Sequence, residues 1–223
     1  MKPRVSNQKT AAMTLVEVLV VIVVLGVLAA LLLCTRSHRP DMDLRREAHQ
    51  INCINNLKQI GLAYRVWEGN HGDKYPMQTS VTNGGTMELA NGYNAWINYS
   101  VMSNELASPK VLICPADTEK VWATNFTTDF NNGKINYFVG LDANETYPQM
   151  FLSGDDNFEI SGIPIKSGLM EISTNTPISW TAARHHFGGE ICLADGSVEQ
   201  TTSSYLRQSL HQTGIATNRL AIP

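Results

Sequence analysis

Thr14-Leu15-Val16-Glu17 runs straight into VLVVIVVLGVLAALLLC, Val18 to Cys34, a stretch without a single charge. From Thr14 the segment is 21 residues long, and at about 1.5 Å of rise per residue it covers about 30 Å, the thickness of a bilayer core. This predicts a membrane-spanning helix over 13–35. A buried helix of a soluble domain and a cleaved secretory signal peptide are the competing readings. The latter has a shorter apolar region followed by a small-x-small site, and Leu31-Leu32-Leu33-Cys34-Thr35-Arg36 offers none. Glu17 is the odd residue, because an acid just inside a spanning helix is costly and usually functional; at headgroup level it would cost little. Lys2, Arg4 and Lys9 on one side balance Arg36, Arg39, Arg45 and Arg46 on the other, so charge does not orient the segment. Its position does: a 12-residue leader stays in the cytoplasm while the bulk of the chain crosses.

The rest of the chain is ordinary by comparison. Its 223 residues are 43% apolar and 17% charged, which excludes a disordered or collagen-like chain. A net charge of −3 and a pI near 6.1 give no basic field, so no nucleic-acid partner is expected. A mean hydropathy of −0.14 excludes a polytopic membrane protein. Cys34, Cys53, Cys114 and Cys192 are too few and too scattered for a disulfide framework or a paired zinc knuckle.

Ala11-Ala12-Met13-Thr14-Leu15-Val16-Glu17 and the apolar run after it resemble the prepilin-type cleavage and methylation signal of type IV pilins and type II secretion pseudopilins. Ala12 and Met13 stand where that family usually has Gly and Phe. The resemblance implies a leader over 1–12, cleavage by a prepilin peptidase between Ala12 and Met13, and methylation of Met13. It also implies assembly with other pilin or pseudopilin subunits out of the lipid bilayer. In such a filament Glu17 can pair with the charged amino terminus of a neighbouring Met13, a contact strengthened by low dielectric. The other reading of Glu17 is retention for peptidase recognition alone.

Pro40 interrupts the first helix. Beyond it, Leu44, Ala48, Ile51, Ile54, Leu57, Ile60 or Gly61, Tyr64 and Trp67 recur at spacings of three and four, predicting an amphipathic helix over 36–68. Gly69 to Asp73 ends it. The phrase Cys53 to Ala63 resembles the post-anchor helix of pseudopilin-like proteins. Met77 to Thr174 is rich in Asn, Gly, Ser, Thr and Asp, with short helical or irregular pieces at Ala95–Ile97 and Glu105-Leu106 and a strand at Ile135–Val139. Further strands are expected at Ile178–Ala182, Gly189–Ala194 and Ser197–Thr201. The last two flank Asp195-Gly196, the strongest short hairpin signal. Ser203 or Ser204 caps a final helix through Leu210. The fold class is therefore α+β: a long N-terminal spanning helix continues into an amphipathic helix that packs on a small antiparallel sheet, pilin-like, with 69–223 as an α+β domain.

His185, nine further residues, then Asp195-Gly196, with Gly188-Gly189 between, resemble the processing-associated H-x9-DG domain of prepilin-type proteins. One reading makes His185, His186 and Asp195 a cation or acid-base site. The other makes Asp195-Gly196 a two-residue turn, with His185 bonding a loop carbonyl or Asp195. Asp155, Asp156 and Glu159 read as a solvated acidic loop, with calcium as the alternative. No nucleophile elbow, zinc-protease helix or phosphate loop is present, so no enzyme activity, cofactor or metal ligand is expected. The reading is a structural pseudopilin-like subunit of a type II secretion or type IV pilus-like system, single-pass in the bacterial inner membrane, with a periplasmic domain. A membrane-tethered periplasmic binding protein or enzyme that uses the signal only for sorting is the alternative.

Overall fold

The structure, a computed structural model, describes residues 14–36, 40–89 and 94–223, with side chains left undescribed at 32–43. The chain divides into Met1–Leu44 and Arg45–Pro223. The first unit carries helix α1, Leu15–Arg36. Thr14 and Glu17 start it: Thr14 N donates to Glu17 Oε2 at 2.8 Å, and Glu17 N donates to Thr14 Oγ1 at 3.4 Å. This is the reciprocal capping box that Thr-x-x-Glu encodes, satisfying two of the free amides at the helix start. From Leu15 to Leu31 every described side chain is exposed. Among the described residues no helix is long and apolar enough to cross a membrane, the described side chains of α1 ending at Leu31.

The second unit is an α+β domain around an antiparallel sheet. Helix α2, Pro40–Gly69, starts at a proline, tolerated there because first-turn amides lack helical partners anyway. It buries Cys53, Leu57, Ile60, Ala63, Tyr64 and Trp67, spaced three and four apart but for the adjacent Ala63 and Tyr64. The stripe expected from Leu44 is corrected at its start: Leu44 and Ile51 are exposed at 58% and 52%. Ile51 precedes Cys53 by two residues, about 200° around a helix, so both cannot face inward.

Nine strands follow among the described residues: β1 (Tyr137–Gly140), β2 (Phe151–Asp155), β3 (Phe158–Ile160), β4 (Ile163–Pro164), β5 (Gly168–Ser173), β6 (Ile178–Trp180), β7 (Gly188–Leu193), β8 (Val198–Thr202) and β9 (Thr217–Ile222). Six form a sheet in the order β5-β9-β1-β2-β7-β8, and three form a small one, β4-β3-β6. Short helices α3 (Ala95–Ser100) and α4 (Ser103–Leu106) precede them, and α5 (Ser203–Gln212) lies between β8 and β9. The cap of α5 is Thr202, whose side chain accepts from Tyr205 N, rather than Ser203 or Ser204.

Both faces of the large sheet are covered, so its strands sort by alternation. Tyr137, Val139, Cys192 and Ala221 share one core with Leu57, Ile60, Tyr64 and Trp67 of α2. Phe138, Ile191, Leu193, Leu220 and Ile222 share the other with Trp180 and with Leu206 and Leu210 of α5. Each fully buried Leu, Ile or Phe contributes about 1.5–3 kcal/mol, so the domain is held by two such layers. Gly61 sets the approach of α2 to the sheet: a Cβ there would lie 2.8 Å from Cys192 Sγ and 3.2 Å from Gly196 O.

The Asp195-Gly196 hairpin between β7 and β8 is present, but its loop has three residues, not two. Leu193 N donates to Ser197 O at 2.8 Å and Gly196 N to Leu193 O at 2.9 Å, with Gly196 at φ 84°. That is a turn followed by a left-handed residue, the usual three-residue solution. Gly188 and Gly189 both lie in β7, and a Cβ on Gly189 would meet the Trp180 ring at 2.6 Å.

Candidate functional site

Four separate segments bring sulfur, nitrogen and carboxylate groups to one buried point beside α2. Cys53 comes from α2 and Asp155 from the end of β2. Cys114 follows a short helical turn, Pro109–Leu112, and is clamped to the start of β1: Cys114 N donates to Asn136 Oδ1 at 3.0 Å, and Asn136 N donates to Leu112 O at 2.9 Å. His185 comes from the loop entering β7. Arg184, His186 and Phe187 around it have φ of 63°, 50° and 61°, conformations that persist only when surroundings enforce them. Asn157 Nδ2 does part of that, donating to Ala183 O at 2.9 Å and Gly188 O at 3.2 Å.

Three groups crowd His185 Nε2. Cys114 Sγ lies at 3.1 Å, Glu190 Oε2 at 3.3 Å and Asp155 Oδ2 at 3.5 Å. Cys53 Sγ is 3.5 Å from Asp155 Oδ1 and 3.1 Å from Tyr137 Oη. Cys53, Cys114, Asp155 and Glu190 have no exposed surface, and the His185 side chain is 2% exposed. Glu190 Oε1 accepts from Gln50 Nε2 at 2.9 Å, while Oε2 has no hydrogen-bond partner.

Burial without enough positive charge shapes the protonation of this group. Burial pushes Glu190 up to about 10, and Asp155 adds to the effect. Burial, then the hydrogen bond to Cys114, holds the Cys53 thiol well above its usual range. The bond from Cys53 draws the Cys114 thiol down to about 6; burial opposes this and His185 reinforces it. Burial disfavours a charged His185, yet Cys114 and Asp155 lift it above its ordinary value. Arg184 contacts Asp156 closely and lies 4.0 Å from Asp155 Oδ1, so its charge is shared between two carboxylates.

The pair Cys114–His185 has the spacing of a nucleophile and base. The carboxylates, however, address the same Nε2 that faces the sulfur, whereas the orienting acid of a triad holds the other ring nitrogen. Cys114 is also fully buried. The arrangement fits ion binding better: Cys53, Cys114, Asp155 and His185 each offer a donor atom, all within 4.8 Å of one another.

Residues 7–33 match the family model described as Prokaryotic N-terminal methylation motif. This motif is the prepilin-type signal; the match starts ahead of α1, covers most of it and says nothing of the domain. No curated protein and no solved structure matches the chain, so the H-x9-DG domain suggested by the sequence is not shown. Ala12 and Met13, the two sides of the expected cleavage point, lie outside the described residues. Glu17 of the motif sits in the capping box with Thr14.

The other site expectations rearrange. His185 joins the buried cluster instead of facing the turn, and Asp195 is not among its partners: Asp195 Oδ1 accepts from Ser197 N at 2.8 Å. His186 is exposed. The acidic loop does not form. Asp155 is buried at a strand end, Asp156 pairs with Lys120 at 3.2 Å and with Arg184, and Glu159 accepts from Ser179 Oγ at 3.0 Å. Cys53, Cys114 and Glu190 were absent from the expected site. Cys53 lay in a helical phrase and Cys114 before a proline, positions 61 residues apart in sequence, and no local pattern joins them.

Proposed function

We propose that the protein is a structural, pseudopilin-like subunit of a type II secretion or type IV pilus-like system. A prepilin peptidase cuts between Ala12 and Met13 and methylates Met13; α1 then holds the chain in the inner membrane, with the α+β domain on the periplasmic side. The observation that carries this reading is the methylation-motif match at 7–33. The structure of the first unit supports it: a helix started by Thr14 and Glu17 presents apolar side chains on every face. A helix apolar all round has no aqueous face and needs lipid or other helices around it. Pilin-type neighbours supply that surrounding in a filament, and lipid supplies it before assembly. No enzymatic role is assigned.

The test is mass spectrometry of the mature amino terminus in cells with and without the peptidase. The expected product starts at N-methylated Met13, and loss of Lys2, Arg4 and Lys9 takes the net charge from −3 to −6. An intact Met1 in membrane-extracted protein, with the peptidase present, overturns the reading.

A further inference from the structure

We propose that Cys53, Cys114, Asp155 and His185 form a buried structural zinc site that pins α2 to the sheet and to the loop ahead of β7.

The geometry fits a small tetrahedral ion. Zinc–sulfur bonds of about 2.3 Å and zinc–nitrogen or –oxygen bonds of about 2.0–2.1 Å place neighbouring ligand atoms about 3.3–3.8 Å apart. Cys114 Sγ to His185 Nε2 is 3.1 Å, His185 Nε2 to Asp155 Oδ2 is 3.5 Å, and Cys53 Sγ to the same Oδ2 is 3.8 Å. The four donor atoms all lie within 4.8 Å of one another. Three of the six separations fall within a few tenths of an ångström of that range and none exceeds 4.8 Å, so the widest pair closes by about 1 Å at most to complete a coordination shell.

The chemistry of the donors selects the ion. Two thiolates, an imidazole and one carboxylate make a borderline-soft set suited to zinc, while calcium and magnesium require oxygen throughout. Cys53, Cys114 and Asp155 have no exposed surface and the His185 side chain only 2%, so four protein ligands leave no open position for substrate or water, which is the mark of a structural site.

Hydrogen-bond arithmetic supplies an independent argument. His185 Nε2 carries at most one proton, yet Cys114 Sγ, Glu190 Oε2 and Asp155 Oδ2 all converge on it. Glu190 Oε2 is fully buried and finds no hydrogen-bond partner. Such a buried orphan is costly when left alone, because it has given up its water and gained nothing in exchange. A divalent cation among these groups replaces the oversubscribed proton and draws the field of Glu190 as well. Binding expels to solvent the protons that the two sulfurs and His185 Nε2 hold, leaving two thiolates and a neutral imidazole on the metal beside the Asp155 carboxylate. An outer layer of bonds is already in place: Tyr137 Oη on Cys53 Sγ at 3.1 Å, Glu190 N on Asp155 Oδ2 at 3.0 Å, and Gln50 Nε2 on Glu190 at 2.9 Å. Partners of this kind orient ligands and tune affinity. The proposal does not depend on the chain's assembly into a filament.

The test begins with the unaltered full chain purified in detergent without chelator. Elemental analysis is expected to find about one zinc per chain, and Co²⁺ exchanged into it should give the intense visible bands of a tetrahedral thiolate site. Removing the metal should lower the melting temperature, and adding zinc back should restore it. Cys53→Ser and His185→Ala should each lower zinc content about tenfold or more, Glu190→Gln should weaken affinity about 10–100-fold, and Cys192→Ala should retain the metal. Full-chain protein with no metal and free thiols overturns the proposal. So does an intact mass lower by two hydrogens with a Cys53–Cys114 crosslinked peptide, which would make this pair a disulfide. Zinc kept by both Cys53→Ser and His185→Ala would also overturn it. If a variant fails to fold, metal content, thiol state and the cobalt spectrum of the unaltered chain still decide.

Discussion

Helix α1 and the C-terminal half of α2 are both rich in apolar residues, yet they solve opposite problems. Described side chains of α1 from Leu15 to Leu31 are exposed, Leu25 at 59% and Ile22 at 63%. Between Cys53 and Trp67, α2 turns one stripe into a core shared with the sheet while Leu62 and Val66 stay outside. A helix with one apolar stripe finishes its packing within its own chain. A helix apolar on all sides leaves that task to lipid or to other chains. The domain should therefore fold without α1, while α1 should answer to its surroundings and not to the domain.

Two fragments test the larger half of this contrast. A fragment beginning near Asp43 keeps the whole buried stripe of α2 and should be soluble, monomeric and cooperative in thermal melting. A fragment beginning after Trp67 loses Leu57, Ile60, Tyr64 and Trp67, each worth about 1.5–3 kcal/mol of burial, and bares the sheet face they cover. The sum approaches the whole stability of an ordinary domain, so that fragment should aggregate. Equal solubility in gel filtration would break the comparison.

The same glycine-to-valine change in the two helices gives a sharper measure. Gly26 in α1 has nothing within 4 Å of where a Cβ would stand, whereas at Gly61 the Cβ would lie 2.8 Å from Cys192 Sγ and 3.2 Å from the Gly196 carbonyl. Gly61→Val must push α2 off the β7–β8 turn. It should cost about 3 kcal/mol, the upper range for overpacking, and lower the melting temperature by about 6–12 °C for a domain this size. Gly26→Val should leave the domain's melting unchanged. A smaller loss is expected at Gly196→Val, where a Cβ meets only Arg65 Cγ at 3.5 Å and the penalty comes from φ 84° alone. About 1–2 kcal/mol is the scale for such strain, read in the same melting experiment.

These contacts also explain which features could be read from the chain alone. The start of α1 is written in four consecutive residues, and the hairpin in two, because capping and turn chemistry act over one helical turn or less. Even there the loop length escaped, since Asp-Gly serves both two- and three-residue hairpins. β2 was hidden for a different reason. Phe151-Leu152-Ser153-Gly154-Asp155 is buried on both sides, so it lacks the polar alternation of a half-exposed strand, and its Ser, Gly and Asp resemble a turn. Ser153 is satisfied inside by Tyr99 at 2.9 Å. The Cys53–Cys114–Asp155–His185 group was the least legible, because it exists only once β1, β2 and β7 have formed in register beneath α2. His185 stood out for its spacing from Asp195-Gly196, but spacing along the chain did not say which groups it would meet.

Glu17→Val probes the smallest effect on the domain and the clearest separation between the two regions. Within the chain, Glu17 Oε2 accepts from Thr14 N at 2.8 Å and from Thr14 Oγ1 at 3.0 Å. Losing this half of the capping box should destabilise the start of α1 by about 0.5–2 kcal/mol, visible as faster amide exchange near Thr14. The domain beginning at Arg45 has no part in that contact, so its melting temperature should not move. Membrane association should persist as well, because valine only extends the apolar run and insertion depends on apolar length. Assembly is where the change should show. On the proposed function, Glu17 pairs with the methylated Met13 of a neighbouring subunit; such a contact in low dielectric contributes far more than at a surface, and valine cannot replace it. Crosslinking in cells should therefore lose subunit–subunit products while membrane fractionation stays unchanged. Intact assembly with lost membrane association would reverse the assignment of register to Glu17 and of insertion to the apolar run.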